Sequence, residues 1–147
     1  MRAFNQNPVS AYQSVNLSDT DYSDPHRLIA LLMDGAVNRI ARAKAAMQAG
    51  RVAEKGELIG SAITIVTGLK GCLNMEAGEA LSNNLAELYD YMCRRLLLAN
   101  ATDKVALLDE VCNLIGEIRL AWEAIPESVK QSYTVNPAAG AAGPRTR

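Results

Sequence analysis

The chain has 147 residues, a formal net charge of −1 and 49% apolar residues. This length suits a single domain with its own core, and the balanced charge excludes the basic stripe that nucleic-acid binding requires. The first 24 residues contain no apolar segment of the signal-peptide type, so we expect a cytoplasmic protein without membrane insertion.

The two ends of the chain differ in composition from its middle. Residues 1–24 are polar without a sustained period, which predicts a flexible arm with Tyr12 among its few apolar anchors. Residues 126–147 begin with Pro126 and end in a Pro/Gly/Ala-rich sequence, which predicts a frayed turn followed by a disordered tail. The domain proper is therefore expected over residues 25–125.

The first helix is predicted from Pro25 to about Ala49. Asp24 is a suitable N-cap before a proline at the first helical position, and Gly50 is a suitable terminator. His26, in the first turn, is interpreted as a solvated side chain. The predicted core positions recur every three or four residues: Leu28, Leu32, Ala36, Ile40, Ala43 and Met47.

The second helix, predicted from about Ala53 to Met75, has unusually little charge. Its last eighteen residues, 58–75, include only Lys70 as a charged side chain. Interrupting polar residues make this stretch a poor membrane span. One face is bulky and apolar, with Leu58, Ile59, Ala62, Ile63, Ile65, Val66, Leu69 and Leu73; the opposite face is small and uncharged, with Gly60, Thr64, Thr67 and Gly71.

The small face of this helix requires an explanation, because a surface helix normally carries charges on its outer face. Each glycine inside a helix costs about 1 kcal/mol relative to alanine. Two explanations are open at this point. Either the glycines let a neighbouring helix of the bundle approach closely, or they form a groove for an apolar helix or extended peptide of a partner.

The third helix is predicted from Glu79 to about Asn100, with Asp90 and Arg94 as an i,i+4 ion pair. Its predicted core positions are Leu81, Leu85, Leu88, Met92, Leu96 and Ala99.

The fourth helix is predicted from Asp103 to Ile125, with Thr102 as its N-cap and Trp122 in the core. Connections of two to four residues make neighbouring helices antiparallel. The sequence thus predicts an all-α fold, an antiparallel up-down-up-down four-helix bundle.

Residue types that carry catalysis are scarce. His26 is the only histidine, so neither a bundle metal site nor a cysteine nucleophile with a histidine base can be assembled. Cys72, Cys93 and Cys112 lack CxxC spacing and are interpreted as small buried apolar residues. No glycine-rich phosphate loop is present. We therefore predict no enzyme activity, no metal and no cofactor.

A set of residues in fixed order resembles the flagellar secretion chaperone family, FliS. The resemblance covers about residues 12–125, and Met33 departs from it because the family usually has an aromatic residue there. The residues that carry it are Tyr12, Val15, Asp24-Pro25, Leu28-Ile29, Leu32 to Ala36, Ala62, Ile65-Val66, Leu69, Leu73-Asn74, Gly78, Asn84-Leu85, Leu88-Tyr89, Tyr91-Met92, Leu96, Ala99-Asn100, Ile118-Arg119 and Ala121-Trp122.

The resemblance implies a cytosolic chaperone that binds the disordered C-terminal region of flagellin. Such a chaperone prevents premature polymerisation, keeps flagellin competent for type III export, and docks on the export gate together with its client. In the family the N-terminal arm can lie over the hydrophobic surface of the bundle, which gives Tyr12 a possible role at the client site.

The candidate client-binding residues come from the helical faces and from that arm: Tyr12, Ile63, Thr64, Thr67, Gly71, Tyr89 and Cys93. The same residues on the second and third helices could instead be internal packing. An alternative function is a self-associating adaptor that dimerises through the surface of the second helix. The free protein is expected to be a monomer or a weak dimer.

Overall fold

The computed structural model describes residues 24–73 and 79–124. These residues form four α-helices and no β-strand: α1 (Pro25–Gln48), α2 (Val52–Gly71), α3 (Glu79–Thr102) and α4 (Val105–Ala124). The predicted all-α fold is confirmed. The predicted arm before Asp24, with Tyr12, and the predicted tail lie outside the described residues.

Ion pairs between the helices show their relative directions. Lys44, near the end of α1, binds Asp109, near the start of α4, at 2.9 Å, while Asp34 binds Arg119 at 3.0 Å. On the other side of the bundle, α2 packs against α3 in the same antiparallel manner. Helices adjacent in sequence therefore pack against each other, and α1 closes the ring with α4, as predicted for an up-down-up-down bundle.

The core is formed by the predicted apolar stripes. In α1 five of the six predicted positions are buried, and Met47 is partly buried. The whole bulky face of α2 is buried except Leu73, which is partly buried. In α3 the predicted stripe is fully buried only at Met92, Leu96 and Ala99, so its first half packs less tightly against the core.

The turn between α3 and α4 differs from the prediction. Thr102 still belongs to α3, where its hydroxyl donates to the carbonyl of Leu98 at 2.8 Å. Asp103 follows in a left-handed conformation with φ of 55°, and its N–H donates to Ala99 O at 2.8 Å. Such a residue ends a helix. The prediction of Thr102 as the N-cap of α4 was therefore wrong, and α4 begins at Val105.

Two other local predictions were wrong. The second helix ends at Gly71 rather than at Met75, with the Cys72 N–H donating to Gly68 O at 3.1 Å. His26 is not a solvated residue: its ring stacks on Trp122 with centroids 4.9 Å apart, and Trp122 Nε1 donates to the His26 carbonyl at 3.0 Å. This contact joins the start of α1 to the end of α4. The predicted burial of Trp122 is confirmed.

Candidate functional site

The candidate site is the surface that α2 and α3 form along their contact. We define the α2–α3 groove by Gly56, Gly60, Ile63, Thr64 and Thr67 of α2 with Cys93 and Leu97 of α3. Gly56 and Gly60 lie eleven and seven residues before Thr67, and therefore on the same face of α2. Leu97 lies four residues after Cys93, on the same face of α3.

Ion pairs mark the two ends of the α2–α3 groove. At one end the Lys55 ammonium is buried and donates to Asp103 Oδ1 at 2.6 Å and to Asn100 O at 3.0 Å. At the other end Lys70 Nζ lies 2.9 Å from Asp90 Oδ1. Fifteen residues of helix separate the two lysines, which corresponds to about 22 Å. The residues that define the groove are uncharged, and the exposed Arg94 of α3 lies close enough to Cys93 to influence its thiol electrostatically.

Two of the predicted site residues meet across the helix contact. The hydroxyl oxygen of Thr67 lies 3.8 Å from Cys93 Sγ, and Thr67 is 7% exposed. Burial raises the pKa of the Cys93 thiol, and the nearby Asp90 raises it further, although the Thr67 hydroxyl acts in the opposite direction. A neutral thiol is neither a good nucleophile nor a metal ligand. This position therefore offers packing and weak hydrogen bonding rather than reaction chemistry.

The remaining predicted residues lie at different depths. Ile63 and Tyr89 are each 1% exposed and belong to the core, so they lie beneath the accessible surface of the bundle. Thr64 is half-buried, and its hydroxyl donates to Gly60 O at 3.1 Å, which leaves its methyl group as the apolar contact. Gly71 is exposed at the end of α2. Tyr12 lies outside the described residues.

The helix-interior glycines of the α2–α3 groove are not explained by internal packing. Within residues 24–73 and 79–124, a Cβ atom added at Gly56 or at Gly60 would meet nothing within 4 Å. Neither residue has a positive φ, so the backbone does not require glycine there either. The explanation by close approach of one of the other described helices is therefore wrong for Gly60.

The candidate residues chosen from sequence missed three members of the α2–α3 groove: Gly56, Gly60 and Leu97. Gly56 precedes Gly60 by one turn, and this spacing is visible in the sequence. Leu97 is 45% exposed, a large apolar side chain at the surface of α3. Nothing in the sequence distinguishes Leu97 from the buried Leu96 beside it except the phase of the helical pattern.

The chemistry available in the described part of the chain is that of binding. Within residues 24–73 and 79–124 no three His, Cys, Asp or Glu side chains are arranged to hold a metal ion. None of the four helices combines the length and the apolar character needed to cross a membrane. The α2–α3 groove offers methyl, methylene and backbone surface, which suits an apolar and uncharged polypeptide segment.

Comparison with known proteins identifies the family. The family model described as flagellar protein FliS matches residues 6–129. The flagellar secretion chaperone FliS of Vibrio cholerae is 40% identical over 119 residues, which cover 80% of this chain and 88% of the relative. FliSB of Pseudomonas aeruginosa is 44% identical over 118 residues, covering 80% and 94%. FliS of Salmonella typhimurium is 41% identical over 127 residues, covering 85% and 93%.

These matches extend over most of this chain and most of each relative. The relatives are named as flagellar secretion chaperones, and the four antiparallel helices described above lie within the matched residues. The chain belongs to the FliS family of flagellar proteins.

Proposed function

We propose that this protein is a cytoplasmic export chaperone that binds the disordered C-terminal region of flagellin. By holding that region it prevents premature polymerisation and keeps flagellin competent for export. The complex of chaperone and client then docks on the flagellar export gate. Membership of a family of flagellar secretion chaperones supports the chaperone role. Binding of the flagellin C-terminal region and docking on the export gate go beyond what the names of these relatives state.

The observation that carries the proposal is the uncharged α2–α3 groove. A disordered client loses conformational freedom when it is ordered on the chaperone, so binding requires a large apolar contact. The groove offers such a surface over about 22 Å. A purely structural helix surface would carry charges there and would not retain glycines that cost about 1 kcal/mol each.

The role proposed for each predicted residue depends on how deeply its side chain is buried. Thr64 and Gly71 form accessible surface, and Thr67 with Cys93 forms the bottom of the groove. Ile63 and Tyr89 support that surface from the core. Tyr12 belongs to the arm proposed to cover or compete for the same site.

Affinity purification with the cognate flagellin tests the proposal. The chaperone is expected to co-purify with full-length flagellin and not with flagellin lacking its C-terminal segment. Light scattering is expected to show a monomer or weak dimer that becomes a 1:1 complex with flagellin. An obligate dimer that binds no flagellin would instead support the self-associating adaptor and would contradict the chaperone proposal.

A surface variant separates binding from folding. Gly71→Leu is expected to weaken flagellin binding with little change in melting temperature, because Gly71 is exposed. Thr67→Arg is a less clean variant, since Thr67 is buried against Cys93 and an arginine would disturb folding as well. Asn113→Arg, at an exposed position of α4, is the matched control and is expected to bind normally. If Gly71→Leu binds flagellin as tightly as the control variant does, Gly71 does not contact the client.

A further inference from the structure

The two halves of α3 are buried to different extents. The core positions of its second half have no exposed surface: Met92, Leu96 and Ala99. The corresponding positions of its first half are all partly exposed: Leu81, Leu85 and Leu88. Burial of apolar surface is the dominant favourable contribution to the packing of a helix. This contribution is therefore smaller in the first half of α3 than in the second.

Ion pairs to other helices show the same difference. In the second half, Arg95 binds Glu110 of α4 at 2.9 Å. Near the midpoint of the helix, Asp90 binds Lys70 of α2 at 2.9 Å. Within the part of the chain that the structure describes, residues 80–89 form no ion pair with another helix. The Lys70–Asp90 pair therefore marks the boundary between the two halves.

Two side chains of the first half are buried, and neither changes this comparison. Ser82 has no exposed surface, but a serine side chain is small and contributes little apolar area. Tyr89 is 1% exposed and stands directly before Asp90, at the boundary itself. Tyr89 and Asp90 together therefore anchor the end of the first half and not its preceding turns.

The neighbouring helices are well buried at the same end of the bundle. The start of α1 places Leu28, Ile29 and Leu32 in the core without exposed surface. The end of α2 does the same with Val66 and Leu69. Weak burial is therefore a property of the first half of α3, and not of this end of the bundle as a whole.

We propose that residues 79–89 of α3 form a separate unit of low stability, which detaches from the bundle while residues 90–102 stay folded. Proteins open locally in cooperative units, and the units with few buried apolar contacts open most readily. Detachment brings Leu85 and Leu88, which pack against the core, into solvent together with the core surface beneath them. The bundle thus has a second conformation that presents apolar surface from its own core. This inference does not depend on the identity of the client.

Hydrogen exchange of the full-length protein, followed by NMR for each amide, tests the proposal. After correction for intrinsic rates, the amides of residues 83–89 are expected to exchange at least about tenfold faster than those of residues 93–100. The first turn of any helix exchanges rapidly because its N–H groups lack partners within the helix. Residues 79–82 are therefore left out of the comparison.

Two variants distinguish local from global opening. Ile40→Val removes a buried methyl group from α1, which lowers the stability of the whole bundle. It is expected to speed exchange at residues 93–100 by about twofold to tenfold and to leave residues 83–89 unchanged. Lys70→Met removes the ion pair at the boundary and keeps a side chain of similar length. It is expected to speed exchange at residues 83–89 by about twofold to fivefold.

Each alternative result contradicts a defined part of the inference. Uniform protection along α3 overturns the proposal, and so does rapid exchange confined to residues 79–82, which is ordinary fraying of a helix end. Equal acceleration of both halves by Ile40→Val would show that α3 unfolds only with the whole bundle, and would also overturn it. An unchanged rate at residues 83–89 in Lys70→Met overturns the boundary at Lys70–Asp90.

Discussion

The turn between α3 and α4 depends on Asp103, which has two separable roles. Its backbone adopts the left-handed conformation that ends α3, with φ of 55°. Its carboxylate binds the Lys55 ammonium at 2.6 Å. We predict that substitutions at Asp103 destabilise the bundle by amounts that depend on which role the new residue retains.

The magnitude follows from the burial of the ion pair. The Lys55 side chain is 7% exposed and that of Asp103 is 65% exposed. Exposed pairs contribute about 0.2–1 kcal/mol, and breaking a buried pair costs about 3–5 kcal/mol. Because solvent reaches Asp103, we expect loss of its carboxylate to cost about 1–2 kcal/mol. Alanine at a left-handed position adds about 1 kcal/mol, whereas glycine adds none.

Asp103→Ala is therefore expected to lower the free energy of unfolding by about 2–3 kcal/mol, and Asp103→Gly by about 1–2 kcal/mol. Urea unfolding followed by circular dichroism at pH 7 measures both values. Lys55→Met removes the charge with little change in side-chain length. In this background Asp103→Ala is expected to lower the free energy of unfolding only by the cost of alanine in a left-handed conformation, about 1 kcal/mol. Equal losses in both backgrounds would show that the ion pair contributes nothing. Equal losses for alanine and glycine would refute the backbone argument.

Three further predictions concern other parts of the bundle. Gly50→Ala should lower stability by about 1 kcal/mol in thermal unfolding, because Gly50 has φ of 76° and its side chain would meet no packing partner; an unchanged stability would refute this account of the turn. Trp122→Phe should lower the free energy of unfolding by about 1–2 kcal/mol, because it removes the hydrogen bond to the His26 carbonyl. Urea unfolding measures this change, and a stability equal to that of the wild type would contradict the prediction. Hydrogen bonds from Tyr91 and then from Arg95 lower the pKa of Glu110, so its stabilisation is fully present above the unfolded pKa and is lost as pH falls through the folded pKa. Wild-type protein should therefore exceed Glu110→Gln in stability at pH 7, and the difference should shrink as acid protonates Glu110 and disappear once the pH is below its lowered folded pKa; a difference that does not change on acidification would show that ionisation is not the cause.

The positions of the helices and of most core residues were predictable because they depend on local signals. Asp24 and Pro25 mark the start of α1 and Gly50 its end, as capping chemistry requires. The spacing of apolar residues identified the buried face of α2. The candidate site was predictable only in part: the sequence showed an uncharged small face, and it could not show whether another helix covered that face.

Other features depend on residues that are distant in sequence. Asp90 was predicted to pair with Arg94 one turn away, and the structure pairs it with Lys70 of α2. Thr102 has the side chain of an N-cap, yet α3 continues through it, and the next residue, Asp103, pairs with Lys55 of α2. A local rule cannot anticipate a partner that the fold brings from another helix.

The sequence by itself determined that this chain forms four antiparallel helices, because apolar periodicity and capping act over a few residues. It also determined that the part of α2 from Leu58 onward has two unlike faces and only one charged side chain, Lys70. Only the tertiary structure decided that Tyr89 is a core residue and that no described residue fills the space at Gly56 and Gly60. The physical reason is that exposure depends on the register and distance between α2 and α3, and both are set by contacts between residues far apart in the chain.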